Sequence, residues 1–335
     1  DCMTQDRVID IIARQREFFN QGHTRSIAFR KEQLRILKRA IQSNEGAIME
    51  ALAKDLSKPA FEAYIAEIGI LFPEIREALR KVGSWAKSRR VATPLVQLPA
   101  TSRIHHDPYG VVLIVGPWNY PFQLTMAPLI GAIAAGNCAV LKPSELAPET
   151  AKLTSSIVAD CFDPAYITVV EGGIPETQAL LQEKFDYIFF TGGTAVGRIV
   201  MESAAAHLTP VTLELGGKSP AIVHHDARLD YAARRIAWGK WINAGQTCLA
   251  PDYLLVHRDV KEPLLEELRR AVHSFYGNDP ETSPDYARIV NHRHFDRLSA
   301  LMESGGTIVQ GGGTSRTSRY MAPTIIDGVT LEDAI

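Results

Sequence analysis

Apolar residues recur at three- and four-residue intervals over positions 29–56 (Leu34, Ile36, Leu37, Ile41) and again over 61–89 (Ile65, Ile68, Leu71, Ile75, Leu79). That spacing lays one apolar stripe along a helix and predicts two long amphipathic helices. The stretch 92–106 changes character: Pro94, Pro99, Thr101 and Ile104 predict extended chain leaving the main body as an arm, and Asp107-Pro108-Tyr109-Gly110 predicts a turn. A regular alternation follows. Apolar runs predict strands over 111–115, 138–141, 166–170 and 187–190, and helical patterns predict helices over 122–135, 149–160, 175–182 and 194–207. Continuous apolar strands alternating with helices imply a parallel sheet covered on both faces, a doubly wound α/β domain of Rossmann type.

After Pro210 the pattern restarts with Val211-Thr212-Leu213-Glu214-Leu215-Gly216-Gly217-Lys218. It predicts a strand over 221–223, a helix over 229–243 and a loop with Cys248. Beyond lie a strand over 253–256, helices over 263–275 and 286–302, and strands over 307–310 and 320–326. The boundary is placed at 209/210: residues 1–209 hold the helices, the arm and a cofactor domain, and 210–335 a second α/β catalytic domain, incomplete at its C-terminus.

At 335 residues, 46% hydrophobic, the chain is long enough for two domains. Formal net charge is −2, with 36 basic residues spread among 38 acidic ones, so no footprint for nucleic acid or a membrane surface is present and small-molecule partners are favoured. The longest apolar tract, 126–135, contains Pro128 and Gly131 and is too short to span a bilayer. The scattered cysteines, Cys2, Cys138, Cys161 and Cys248, lack the density of a disulfide scaffold or the spacing of a metal site and predict a cytoplasmic setting. Cys2 precedes Met3 and receives no role.

In doubly wound sheets ligands bind beyond the carboxyl ends of the strands, and three predicted ends carry informative residues. Gly192-Gly193-Thr194-Ala195-Val196-Gly197 follows a strand and opens a helix, so its amides suit a pyrophosphate, although such glycine turns are common in α/β folds. Lys142 and Glu145 can both reach ribose hydroxyls, or form a solvated loop pair. Asn119 can donate to an oxyanion, or simply make a turn. Glu214 sits in an apolar strand, where desolvation would suit a general base; a carboxylate bonded to nearby amides is the equal alternative. Cys248, behind Gly245 and small or polar neighbours, is read as a nucleophile. His292 and His294 point to different helix faces, and no metal is assigned.

With Pro117-Trp118-Asn119, Lys142-Pro143-Ser144-Glu145, Phe190-Thr191-Gly192, Leu213-Glu214-Leu215-Gly216-Gly217-Lys218 and Gly245-Gln246-Thr247-Cys248 in this order, the chain resembles the aldehyde dehydrogenase superfamily. Thr209 through Lys218 and Cys248-Leu249-Ala250-Pro251-Asp252-Tyr253 look most like its class 3 branch, which acts on medium-chain, fatty or aromatic aldehydes. The resemblance implies NAD(P)-dependent oxidation of an aldehyde to a carboxylic acid through a cysteine thiohemiacetal and thioester. Cys248 would be the nucleophile, Glu214 the general base, and Asn119 with the Cys248 amide the oxyanion hole. Trp118, Lys142, Glu145, Gly192, Gly193, Gly197 and Leu215 would hold NAD or NADP.

Two departures bear on this. Gly193 stands where many relatives have serine. The chain also stops before the family's Glu-x-Phe-Gly-Pro segment, which meets the nicotinamide, and before the dimer-forming strands. The full-length molecule is expected to be a homodimer, and the 335 residues alone are expected not to be a competent enzyme. Two other readings are a coenzyme A-acylating dehydrogenase, against which Glu214 argues, and an inactive truncated binding module.

Overall fold

The computed structural model describes residues 5–330, 332 and 333, so Cys2 and Ile335 lie outside the described residues. In chain order the helical preface comprises α1 (Gln5–Asn20), α2 (Ile27–Ser43), α3 (Glu45–Leu56), the short α4 (Ala60–Ala63), a π-helical turn Tyr64–Ile68 and α5 (Leu71–Trp85). The two long helices expected here are therefore interrupted. Asn44 ends α2 by donating its side-chain Nδ2 to the Ala40 carbonyl at 2.8 Å, a local bond that competes with helix continuation. Ser57, in the left-handed region at φ 50°, turns the chain out of α3. Helix α1 has no counterpart in the predicted pattern. Its buried face mixes Val8 and Ile12 with Gln15, whose carboxamide donates to the Ala139 carbonyl at 3.0 Å.

The predicted arm is an antiparallel pair, β1 (Arg89–Val91) with β2 (Ser102–Ile104). Then come β3 (Val111–Val115), α6 (Gln123–Ala135), β4 (Cys138–Lys142), α7 (Pro148–Cys161), β5 (Ile167–Val169), α8 (Ile174–Gln182), β6 (Tyr187–Thr191), α9 (Thr194–Ala205) and β7 (Val211–Glu214). The remainder is β8 (Ser219–Val223), α10 (Leu229–Trp241), β9 (Pro251–Val256), α11 (Lys261–Tyr276), α12 (His292–Met302), β10 (Thr307–Gln310), β11 (Thr314–Ser315), β12 (Tyr320–Met321) and β13 (Ile325–Asp327). Among the described residues no helix is long and apolar enough to cross a membrane.

The chain divides into two compact units, one comprising the residues up to Ile48, Ala66–Glu145 and Thr150–Glu214, the other Met49–Ile65, Leu146–Glu149 and the residues from Leu215 on. The first carries a five-stranded, wholly parallel sheet in the order β5-β4-β3-β6-β7. Every residue of β3 and β4 is buried, which is why these strands read as unbroken apolar runs. The order reverses at β3, which pairs with β4 on one side and β6 on the other. That reversal is the switch point where doubly wound folds leave a crevice for ligands.

The second unit pairs β8 with β9 in parallel over a core that includes Val223, Ala237, Trp241, Leu264, Leu268, Val272 and Tyr276. Two expectations change here. The helix predicted from 286 starts at His292, capped by Asn291 accepting the His294 amide at 2.9 Å. Tyr286 is instead drawn into the core, its hydroxyl donating to the Met321 carbonyl at 3.0 Å. The last predicted strand divides into β12 and β13 around Pro323, which lacks the N–H that a ladder needs.

Candidate active site

In the first unit the carboxyl ends of β3, β4, β6 and β7 bring most of the predicted residues to one edge of one sheet. After β3, the Gly116 amide donates to the Lys142 carbonyl at 3.0 Å. A side chain at Gly116 would run into the buried Thr125 hydroxyl, so close approach, not φ, demands glycine there. Trp118 and Asn119 follow, both half-buried. The helix after them is held by a carboxylate that sequence reasoning did not single out. Fully buried Glu67 accepts the Phe122 and Gln123 amides at 3.1 and 3.0 Å, placing a carboxylate at the positive end of α6.

Lys142 ends β4 and is 2% exposed, so it is no solvated loop pair. Its Nζ donates to the Pro143 carbonyl at 2.8 Å and lies 3.8 Å from the Glu145 carboxylate. Burial lowers its pKa, while Glu145 and Glu176 pull the other way. Glu145, whose side chain is 44% exposed, is the open partner of the pair.

After β6 the chain passes through Gly192 and Gly193 into α9. The Gly192 amide donates to the Glu214 carbonyl at 3.0 Å, and Gly197, buried in the first turns of the helix, donates to the Gly193 carbonyl at 2.9 Å. A Cβ on Gly193 would meet nothing within 4 Å. Gly193 and residues 194–196 are exposed, and first-turn amides have no partner within their own helix. The Thr191 hydroxyl next to this turn is buried without a hydrogen-bond partner among the described residues.

Glu214 departs from expectation: it is exposed, not desolvated inside an apolar strand. Among the described residues its strand β7 is the last in the sheet order and pairs with β6, and Glu214 is the final residue of that strand.

In the second unit, Cys248 is exposed in the turn between α10 and β9, and Leu215 is half-buried. The loop before the thiol is strained. Asn243, Ala244 and Gly245 take consecutive left-handed φ values of 55°, 52° and 80°, a conformation that costs a non-glycine residue on the order of 1 kcal/mol. Side chains hold it. The Gln246 Nε2 donates to the Asn243 and Arg288 carbonyls at 2.9 and 3.0 Å, and its Oε1 accepts the Val290 amide at 2.9 Å. The Asn243 amide donates to buried Glu62 at 2.9 Å. Beyond the thiol, Asp252 binds Lys240 at 3.2 Å and Lys218. Burial pushes its carboxyl up, but the two ammonium groups outweigh burial and hold it below its ordinary value.

The other described cysteines differ. Cys138 is fully buried in β4, and burial pushes its thiol up to about 12; burial also raises the half-buried Cys161, with Asp160 adding to it. A thiol of that kind is an inert core residue.

The first unit's residues fit a dinucleotide. The glycine turn lets phosphates approach first-turn amides, the Thr191 hydroxyl lacks a partner, and Lys142 with Glu145 offers a donor and an acceptor at the next strand end. Comparison with known proteins agrees. Residues 2–335 match the aldehyde dehydrogenase family. The chain is 51% identical over 319 residues to a 4,4'-diaponeurosporen-aldehyde dehydrogenase of Staphylococcus aureus, covering 95% of this chain and 70% of that protein. It is 46% identical to a dimeric NADP-preferring aldehyde dehydrogenase of Rattus norvegicus, covering 98% of this chain and 72% of that one. The solved structure of the substrate-bound state of Staphylococcus aureus AldH superposes with a TM-score of 0.95 at 49% identity, over 98% of this chain and 72% of that one. Motif order, sheet topology and these matches lead to one conclusion: the chain belongs to the aldehyde dehydrogenase family.

Proposed function

We propose that this protein oxidises an apolar aldehyde to the carboxylic acid with NAD or NADP, the first unit holding the dinucleotide and the second presenting the nucleophile. The observation that carries the reading is the setting of Cys248, an exposed thiol on a strained and clamped loop, while Cys138 is locked in a strand. The Cys248 thiolate adds to the aldehyde carbon, and the carbonyl electron pair moves onto oxygen. The Asn119 side-chain amide and the Cys248 N–H donate to that oxyanion, a role in which one donor is worth about 2.7–4 kcal/mol. When bound, the dinucleotide supplies the acceptor for the aldehyde's hydride. Once the acyl group is a thioester on Sγ, Glu214 takes a proton from water, the hydroxide attacks the acyl carbon, and the thiolate leaves.

Glu214 stands open to solvent at the end of its strand. Trp118, Lys142, Glu145, Gly192, Gly193, Gly197 and Leu215 hold the dinucleotide, with Glu145 favouring NAD by accepting from ribose hydroxyls. The name of the Staphylococcus aureus relative supports a long apolar aldehyde, and that of the rat relative supports a dimer and use of NADP. A cytoplasmic setting completes the proposal.

The test is Cys248→Ala in the full-length protein, assayed by dinucleotide titration beside steady-state oxidation. Oxidation is expected to vanish while binding persists, because the glycine turn and Lys142 belong to other strands. Binding lost together with the thiol would show that the two sites are misplaced.

A further inference from the structure

Glu62 is a buried carboxylate that the reaction does not use directly. It lies in the short helix α4, is 7% exposed, and accepts the Asn243 backbone amide at 2.9 Å. Asn243 is itself fully buried and is the first of the three left-handed residues that precede the nucleophile. A buried N–H in a turn of this kind has no ladder partner, and an acceptor placed opposite it selects this backbone conformation over its relaxed alternatives.

We propose that Glu62 is a positioning residue for the Cys248 loop: its side-chain oxygen accepts the Asn243 amide and so fixes the left-handed turn from which the thiol is presented. The inference rests on Cys248 being the nucleophile. Gln246 clamps the far side of the same turn, so the strained backbone is held between an acceptor before it and a carboxamide after it. The groups acting on Glu62 are Lys58, in the non-helical segment just before α4, and Asp285, with the hydroxyls of Tyr276 and Tyr286 also feeling its charge. Burial pushes Glu62 up to about 7, against the pull of the Asn243 amide and Lys58, so both protonation states are populated near neutrality. Both forms keep an oxygen that accepts this bond.

The experiment compares Glu62→Ala, which removes the acceptor, with Glu62→Gln, which keeps an oxygen but no charge. Amide hydrogen exchange over residues 243–250 and the rate of Cys248 alkylation by iodoacetamide are measured, together with kcat and KM for aldehyde and dinucleotide. In Glu62→Ala, protection of the loop is expected to fall on the order of 10-fold. The alkylation rate changes with it, and kcat drops while the KM for the dinucleotide holds. Glu62→Gln is expected to restore loop protection, alkylation rate and kcat. Should Glu62→Ala not accumulate as folded protein, Glu62→Asp, which retracts the acceptor by one methylene, replaces it with the same expectation. Unchanged loop protection without the acceptor, or equal loosening in Glu62→Gln, overturns the proposal. Failure of the catalytic reading is seen separately, as oxidation persisting in Cys248→Ser, and leaves the exchange result standing.

Discussion

Gly192→Ala tests whether the glycine turn is the dinucleotide's phosphate cradle. A Cβ built at Gly192 lies 2.5 Å from Phe190 Cζ, with Cε1 at 3.1 Å and Cε2 at 3.3 Å. Ordinary van der Waals contact begins at 3.4 Å, so the turn and ring must part by 3.4 − 2.5 = 0.9 Å. Phe190 is 3% exposed in a strand paired on both sides, so the exposed turn is the part that yields. Overpacking of this kind costs about 1–3 kcal/mol. If the turn relieves it by shifting, binding must restore the strained position and bear that cost, which corresponds to dinucleotide affinity about 5- to 150-fold weaker. The strain has one identified source, so removing the ring atoms removes it: Phe190→Leu/Gly192→Ala should bind within a few-fold of Phe190→Leu. The assay is dinucleotide titration of the four proteins by fluorescence, with unfolding midpoints to confirm that each is folded. Wild-type affinity in Gly192→Ala would refute the cradle. The same loss in the leucine background would refute the steric cause.

Other predictions follow from the same geometry. Glu62 is raised from an ordinary 4.5 to about 7, so its protonated form belongs to the fold. The stability it contributes is complete below about pH 4.5 and is lost as pH rises through about 7, by roughly 3–4 kcal/mol at ~1.36 kcal/mol per pH unit. Exchange of the buried α11 amides at about pH 5 and pH 9 should show that dependence in wild type and not in Glu62→Gln; identical slopes would count against it. Glu145→Gln removes the charge expected to repel a 2′-phosphate, so the ratio of specificity constants should move toward NADP, and an unchanged ratio would take Glu145 away from the ribose. Glu214→Gln should leave a first burst of reduced cofactor but slow later turnover, seen by rapid-mixing absorbance. If coenzyme A restored full turnover to wild type and variant alike, an acyl-transferring enzyme would be the better description.

The parallel core was legible because β3 and β4 are buried on both faces and their sequences therefore carry no polar interruption. The glycine turn after β6 was legible for the same local reason, a strand followed directly by small residues and a helix. What escaped depends on distant partners. Helix α1 hides behind Gln15, whose carboxamide is satisfied by the Ala139 carbonyl far along the chain. Glu62 and Glu67, five positions apart in a helical stretch, look like solvated charges until the amides they accept are seen. Glu214 looked desolvated because its neighbours Leu213 and Leu215 are apolar, whereas its exposure at the end of β7 is visible only in the folded chain. The start of α12 was set by Tyr286 joining the core, which local periodicity does not encode.

The central claim is that an acyl group rests on Cys248, and trapping it tests this most directly. Glu214→Gln is mixed with aldehyde and dinucleotide, quenched in acid within one turnover, digested, and its peptides weighed by mass spectrometry. The account predicts a mass gain equal to the acyl group, on the peptide carrying Cys248, that is absent without dinucleotide and absent in Cys248→Ser. Acylation at Cys161 or elsewhere, or oxidation continuing with Cys248 unmodified and replaceable, would contradict it.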